Sequence, residues 1–395
     1  MRDAASANES KTEHSVAPNR FTRLEWAGAF GDLGTLIPFT IAYITLLKMD
    51  PLGILFAFGV MLIACGFYYK TPFPVQPMKA IGTVATAQAA QGVVVTANAV
   101  YSAGIVTGIV WLLLGLTGTT RRVAGLLGRP VALGIILGLG FAFMLEGIKM
   151  MAAGWLLGAI ALVGTLVLLV NPLIPAMFVL LLFGVIAAVV QDPSLIDRLA
   201  TVQPELRFPV FALGSVTWDE FVVGGLFLAL PQVPLTLGNA IVAVTEENNR
   251  LFPDRKVDEK GVSISTALMN LLGPLVGGVP MCHGAGGMAG HVRFGARTGG
   301  APIILGAILV LAALFFSGSI ETILKIFPEP VLGVILFLTG AQLALGPIAA
   351  FEKGDSEGNR FVILATAAFA VWNIGVAFVF GAVVHFLLKR KWLRL

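Results

Sequence analysis

The sequence predicts an all-α polytopic membrane protein, with about 14 spans arranged as two inverted repeats of seven. Three observations predict it. Of 395 residues, 57% are apolar and only 12% charged, whereas soluble domains carry about 25% charged and roughly 45–50% apolar residues. Apolar stretches of membrane-spanning character recur along the whole chain. Strings in the first half also return in the second at a nearly constant offset. A soluble globular enzyme is excluded, and no footprint of nucleic-acid binding is present.

The first 20 residues, MRDAASANESKTEHSVAPNR, are polar and lack an apolar core. They are expected to be a disordered cytosolic tail and not a signal peptide. Apolar stretches punctuated by charge, Gly and Pro then place spans at Leu24 to Leu47, Leu52 to Tyr69, a short Met78 to Ala90, Ala99 to Thr117, Val131 to Ile148, Trp155 to Val170 and Ile174 to Val190. A more polar extracytoplasmic connection, 191–219, follows. The second set is Phe221 to Val244, Val262 to Gly277, a short Gly-rich His283 to Phe294, Ala301 to Phe316, Ile320 to Leu345, Phe361 to Trp372 and Ile374 to Leu388. The last two can also be read as one long kinked helix. The first repeat is thus expected over 21–190 and the second over 220–390.

Threading the chain from the cytoplasm leaves 20 of the 26 Lys and Arg inside. Lys48, Lys149, Arg198, Arg207 and Lys325 fall outside, and Lys79 stays within the bilayer. The positive-inside rule therefore expects both termini in the cytosol. Cys65 and Cys282, the two cysteines, sit in apolar surroundings, which argues against a disulfide framework.

RPVALGIILGLG from Arg129 resembles EPVLGVILFLTG from Glu329. Leu33–Gly34–Thr35 returns as Leu237–Gly238–Asn239, and Pro77 matches Pro280. Each half crosses the membrane an odd number of times, so the repeats must be inverted.

The two short pieces are broken spans. PFPVQPMKAIGT, from Pro72, cannot be helical interior at its prolines, and Pro77 suits the first position of a half-helix. VPMCHGAGGMAGHVRFGARTG, from Val279, places His283 at the opening of the other, with Gly284, Gly286, Gly287 and Gly290 permitting close backbone approach. Inverted repeats point the two N-termini at each other, and their unpaired N–H groups and partial positive charges suit an anion. Lys79, in the first turn of the first half-helix, opposes the dipole and costs about 2.5–3.5 kcal/mol at mid-bilayer. It needs a partner: a bound anion, a salt bridge to Asp32, or water reached by snorkelling.

Asp32, within FGDLGTLIPF, is an intramembrane carboxylate and hence a candidate for function or for pairing with Lys79. Thr35 can donate to substrate or back-bond its own helix. In LPQVPLTLGNAIVA, Pro231 and Pro234 are expected to break the helix beside Gln232, with Thr236 and Asn239 beyond. Gln76, Gln232 and Asn239 offer amide donors to an oxyanion, or interhelical hydrogen bonds. His283 is a candidate hydrogen-bond or proton-coupling group, or a packing residue. No metal-ligand spacing appears, His291 lying too far from His283, and no P-loop or catalytic triad is present. Neither a cofactor nor an ATP-driven pump is expected.

The strings FGDLGTLIPF, PVQPMKAIGT, LTLGNAIVA and CHGAGGMAGHVRFGARTGG resemble those of the molybdate-transporter branch of the sulfate permease superfamily, over about Arg23 to Arg390. The resemblance implies a seven-plus-seven inverted-repeat fold with core and gate domains, elevator-like movement of the core, and a homodimer. It implies binding by Gln76, Pro77, Met78 and Lys79 and by His283 with Gly284, Ala285, Gly286 and Gly287. Typical sulfate permeases carry a cytosolic STAS domain; the sequence stops at Leu395, so that domain is expected to be absent.

The resulting expectation is a secondary transporter of a tetrahedral oxyanion, molybdate first, with tungstate or sulfate as neighbours, in the inner membrane if bacterial. Thr35, Gln232 and Asn239 would assist the two half-helices, and Asp32 and His283 are the coupling candidates. A nucleobase or carboxylate permease on the same fold and an anion channel are the alternatives.

Overall fold

The computed structural model describes residues 18–45, 47–79, 81–82, 95–169, 175–351 and 357–392. Helix starts follow side-chain caps legible in the sequence. Thr22, Asp50, Thr96, Asp258 and Asn373 each accept a backbone N–H from the first turn of the helix that follows, which satisfies donors that have no intrahelical partner. The helices are α1 (Arg23–Ala29), continuing through a tight 3₁₀ turn at Phe30–Asp32 into α2 (Leu33–Thr45), then α3 (Pro51–Tyr69), α4 (Ala97–Leu116), α5 (Thr119–Ala152), α6 (Trp155–Leu168), α7 (Ala176–Gln191) and α8 (Ser194–Ala200). The second half has α9 over 218–251, α10 (Glu259–Leu272), α11 (Ala285–Arg293), α12 (Gly300–Phe316), α13 (Ile320–Leu324), α14 (Glu329–Phe351), α15 (Glu357–Trp372) and α16 (Ile374–Lys389). The only strands among the described residues are β1 (Gln76–Pro77) and β2 (Met281–Cys282).

Two bundles form. In the first, α3 packs along α12 and α4 along α10, while α1 leans on α12. In the second, α5 packs along α14, and α15 and α16 lie against α5. Each pairing maps onto another when the halves are exchanged: α3 with α12 becomes α10 with α4, and α5 with α14 maps onto itself. Glycines set the close approaches. Gly140 meets Gly340 and Gly147 meets Gly333 between α5 and α14, and Gly59 meets Gly306 between α3 and α12, so that backbones pack without intervening side chains.

Several expectations change. Among the described residues, five stretches are long and apolar enough to cross a membrane: Arg23–Thr45, Pro51–Tyr69, Ala97–Leu116, Gly128–Ala152 and Gly300–Leu324. Others are shorter or bent; α7 and α8 meet at 109°. Ile320 to Leu345 is not one helix but breaks between α13 and α14, where Pro328 and Pro330 interrupt the ladder. Pro231 and Pro234 do not break α9: π-helical turns at Gly224–Ala229 and Thr236–Ala243 flank them and carry the helix on with shifted hydrogen bonds. The C-terminal pair is two helices, separated at Asn373 and packed on each other. Asn19 and Arg20, expected in a disordered tail, are pinned: Asn19 Nδ2 donates to the Gly66 carbonyl at 3.0 Å and Arg20 N to Thr298 Oγ1 at 3.1 Å. The connection expected to be polar contains α8. It then runs over the end of α12, where the N–H groups of Glu205 and Arg207 donate to Phe315 and Leu314, with Phe208, Val210 and Phe211 exposed. Residues 80 and 83–90 of the first short piece lie outside the described residues.

Candidate anion site at the crossed half-helices

Prolines build the centre of the molecule. Pro72, Pro74 and Pro77 keep the first broken span extended, and Pro280 does the same for the second. The two extended pieces meet antiparallel, Gln76 opposite Cys282 and Pro77 opposite Met281, and Met78 N donates to the Pro280 carbonyl at 2.9 Å. Without N–H groups the prolines cannot extend the ladder, so it stops at this short bridge. A helical turn begins at Lys79, and α11 begins at Ala285 after the N-cap Gly284. Two helix starts therefore leave one crossing point. Two expected positions shift: Pro77 lies in the strand and not at the head of a helix, and His283 precedes the cap of α11 instead of opening it.

The crossing is held from outside. Asn270 of α10 brackets Met281, accepting from its N–H at 2.9 Å and donating to its carbonyl at 2.5 Å. Both ring nitrogens of His283 are engaged, Nδ1 with the Pro74 carbonyl at 2.8 Å and Nε2 with Ser265 Oγ at 2.7 Å. Ser265 in turn bonds the Tyr69 hydroxyl at 2.6 Å. These bonds clamp β1, and they make His283 a fastening between α10 and the first broken span.

Asp32, Thr35 and Gln76 form one buried cluster. Gln76 Nε2 donates to Asp32 Oδ1 at 2.6 Å and to Thr35 Oγ1 at 2.8 Å, and the Thr35 hydroxyl is directed at Asp32. Both amide hydrogens of Gln76 are thus used, and its Oε1 is left without a donor. That oxygen stands where a side chain on Gly284 would begin. A Cβ on Gly287 would come to 2.7 Å from Asp32 Oδ2 and 2.8 Å from Gln76 Nε2. Only glycine lets the first turn of α11 approach this cluster, and the first-turn N–H groups of Ala285, Gly286 and Gly287 have no carbonyl within their own helix to bond.

Lys79 completes the site. Its Nζ is buried, has no hydrogen-bond partner, and lies 4.0 Å from the ring centroid of Phe143 on α5. The salt bridge to Asp32 is not formed; no ion pair among the described residues includes either group. A desolvated cation–π contact contributes about 2 kcal/mol, less than the roughly 2.5–3.5 kcal/mol cost of placing the ammonium at mid-bilayer. Lys79 Nζ therefore has neither an ion-pair nor a hydrogen-bond partner, and through the Phe143 ring, which also lies against Gly286, it neighbours the first turn of α11.

From α9, Gln232 accepts from Ile81 N at 3.3 Å and donates to Thr236 Oγ1 at 2.9 Å, capping the first half-helix. Asn239 is buried with Oδ1 lacking a donor, and its Nδ2 lies 3.8 Å from where a Cβ on Gly284 would stand. Of the residues singled out in the sequence, Thr35, Gln76, Met78, Lys79, Gly284, Gly287 and Asn239 cluster around the crossing, and Gln232 reaches it as a cap. Phe143, Asn270 and Ser265 were not legible as site residues. Phe143 is one apolar residue in an apolar span, whereas the lone Asn270 of an apolar helix was a signal that could have been used.

A helical membrane protein in which two broken spans start from one crossing, with a buried cation on the first of them, has the architecture of a transporter. The chain belongs to the family described as "Molybdate transporter of MFS superfamily", which matches residues 24–143 and again 224–343. The double match, shifted by about 200 residues, is the same duplication that the repeated strings show. The chain is 31% identical to molybdate transporter 2 of Arabidopsis thaliana over 93% of its length and 87% of the relative's. It is likewise 31% identical to molybdate transporter 1 of that plant, covering 96% and 91%. Among solved structures it resembles the transmembrane domain of the cyanobacterial bicarbonate transporter BicA, at 15% identity and a TM-score of 0.51, covering 91% of this chain and 98% of that one. It also resembles the murine anion transporter Slc26a9 in its inward-facing state, at 12% identity and a TM-score of 0.61, covering 96% and 70%. The protein is an integral membrane protein with the SLC26/SulP transmembrane fold.

Proposed function

We propose that this protein is a secondary transporter of a tetrahedral oxyanion, molybdate first. The observation that carries the reading is the buried Lys79 ammonium, which has no hydrogen-bond or ion-pair partner and shares the Phe143 ring with the start of α11. A dianion there is held by the first-turn N–H groups of α11 and by Lys79, and no bond of the anion is made or broken. Relatives named as molybdate transporters over nearly the full chain support molybdate ahead of sulfate or tungstate.

The division into two bundles supports an elevator movement, the first bundle carrying the crossing past α5 and α14 as a rigid core. Repeats over 21–190 and 220–390, cytosolic termini, a location in the inner membrane if the protein is bacterial, and a homodimer complete the reading. Of the two coupling candidates, Asp32 is favoured, because His283 has both ring nitrogens engaged.

A second reading has one observation in its favour. Gln76 Oε1 and Asn239 Oδ1 are buried acceptors without donors, which suits a ligand carrying N–H or O–H groups, such as a nucleobase. Thermal stabilisation of the purified protein by molybdate, tungstate, sulfate and uracil separates the two; stabilisation by uracil alone overturns the oxyanion. In proteoliposomes, molybdate uptake should saturate and support counter-transport, as a channel would not. Lys79→Ala should abolish uptake with the fold intact, and unaltered uptake would sink the assigned role.

A further inference from the structure

Phe143 touches both half-helices from the opposite bundle. Its ring lies 4.0 Å from Lys79 Nζ, and a Cβ on Gly286 would meet ring atom Cζ at 2.8 Å. Phe143 is itself buried and belongs to α5, the helix that packs along α14 in the second bundle. One aromatic side chain thus lies against the ammonium of the first half-helix and the first turn of the second. Those are the two groups an anion would use. The face of an aromatic ring is negative, so it attracts Lys79 and repels an oxyanion.

We propose that Phe143 is the group a bound anion displaces from Lys79, so that occupancy of the site exchanges a contact between the two bundles for one within the first. The proposal rests on the oxyanion reading above. It makes Phe143 a specificity-determining residue: it holds the ammonium when the site is empty and opposes anions too weakly held to displace it. It also gives the empty and loaded forms different attachments between the bundles, the difference a carrier needs if binding is to free the core to move.

The test is equilibrium binding of molybdate to the purified protein. Phe143→Leu keeps apolar bulk and removes the ring face, and should tighten binding by roughly thirty-fold, as loss of a desolvated competing cation–π contact requires. Phe143→Met, with an unbranched side chain of similar reach, should shift affinity the same way and serves if the leucine variant does not fold. In Lys79→Met, binding should be much weaker, and the residual affinity should respond far less to Phe143→Leu than the wild-type affinity does. Unchanged or weaker binding in the Phe143 variants, with Lys79→Met still impaired, overturns this proposal alone. Equal binding in wild type and Lys79→Met overturns the oxyanion reading and this proposal with it.

Discussion

Gln76 and Asp32, 44 residues apart in sequence, are joined by a 2.6 Å hydrogen bond from the amide Nε2 to Oδ1. The bond ties the first broken span to the turn between α1 and α2, and it fixes which end of the amide faces α11. Asp32 is therefore the group that sets how Gln76 enters the site.

Asp32→Ala should weaken molybdate binding by about ten-fold or more, since a hydrogen bond to a charged group contributes about 1.5–3 kcal/mol. Asp32→Asn keeps an acceptor for Gln76 and should retain most of the affinity. If the carboxyl also carries the coupled proton, the asparagine variant takes up molybdate at a rate that no longer varies with an imposed pH gradient. Binding and gradient-driven uptake, measured on the same preparation, separate the two roles.

A methyl group at position 284 would fall on Gln76 Oε1. Gly284→Ala should therefore destabilise the protein by about 1–3 kcal/mol, the usual cost of overpacking, and abolish uptake. Thermal unfolding in detergent and transport give the two readouts; a variant with native stability and uptake would show that the crossing is looser than the structure has it.

His283→Ala removes bonds to Pro74 and Ser265. The expected outcome is a lower unfolding temperature, with the pH dependence of uptake unchanged in the protein that folds. A pH profile flattened to the same extent as in Asp32→Asn would return His283 to the list of coupling groups.

Glu25, buried near the start of α1, accepts backbone N–H groups from Arg297, Thr298 and Ala301 at 3.0, 2.9 and 3.2 Å. It anchors the start of α12 where no transport role is assigned. Glu25→Ala leaves buried donors unpaired and should cost at least about 3 kcal/mol, read as a large drop in unfolding temperature. Glu25→Gln, retaining one acceptor oxygen, should recover part of the loss.

Much of the candidate site is legible because its signals are local. Three prolines within six residues forbid a helix wherever they lie, and a lysine beside them at mid-bilayer is costly in any fold. The misplacements are equally local in origin. Pro77 suits a helix start on intrinsic preference, but pairing with Met281 draws it into a strand. Pro231 and Pro234 should stop a helix, yet π turns on either side absorb their missing donors.

The membrane class, the duplication, the broken spans and the single buried lysine follow from composition and proline chemistry, which act within a few residues of chain. Which buried group pairs with which does not. Asp32 holds Gln76 and not Lys79, His283 fastens Pro74 to Ser265, and Lys79 faces a phenylalanine from the other bundle, because these choices depend on the register of β1 on β2 and on how two helical bundles meet. Such contacts join segments that lie up to about 200 residues apart. Only the packed structure brings them within hydrogen-bond reach.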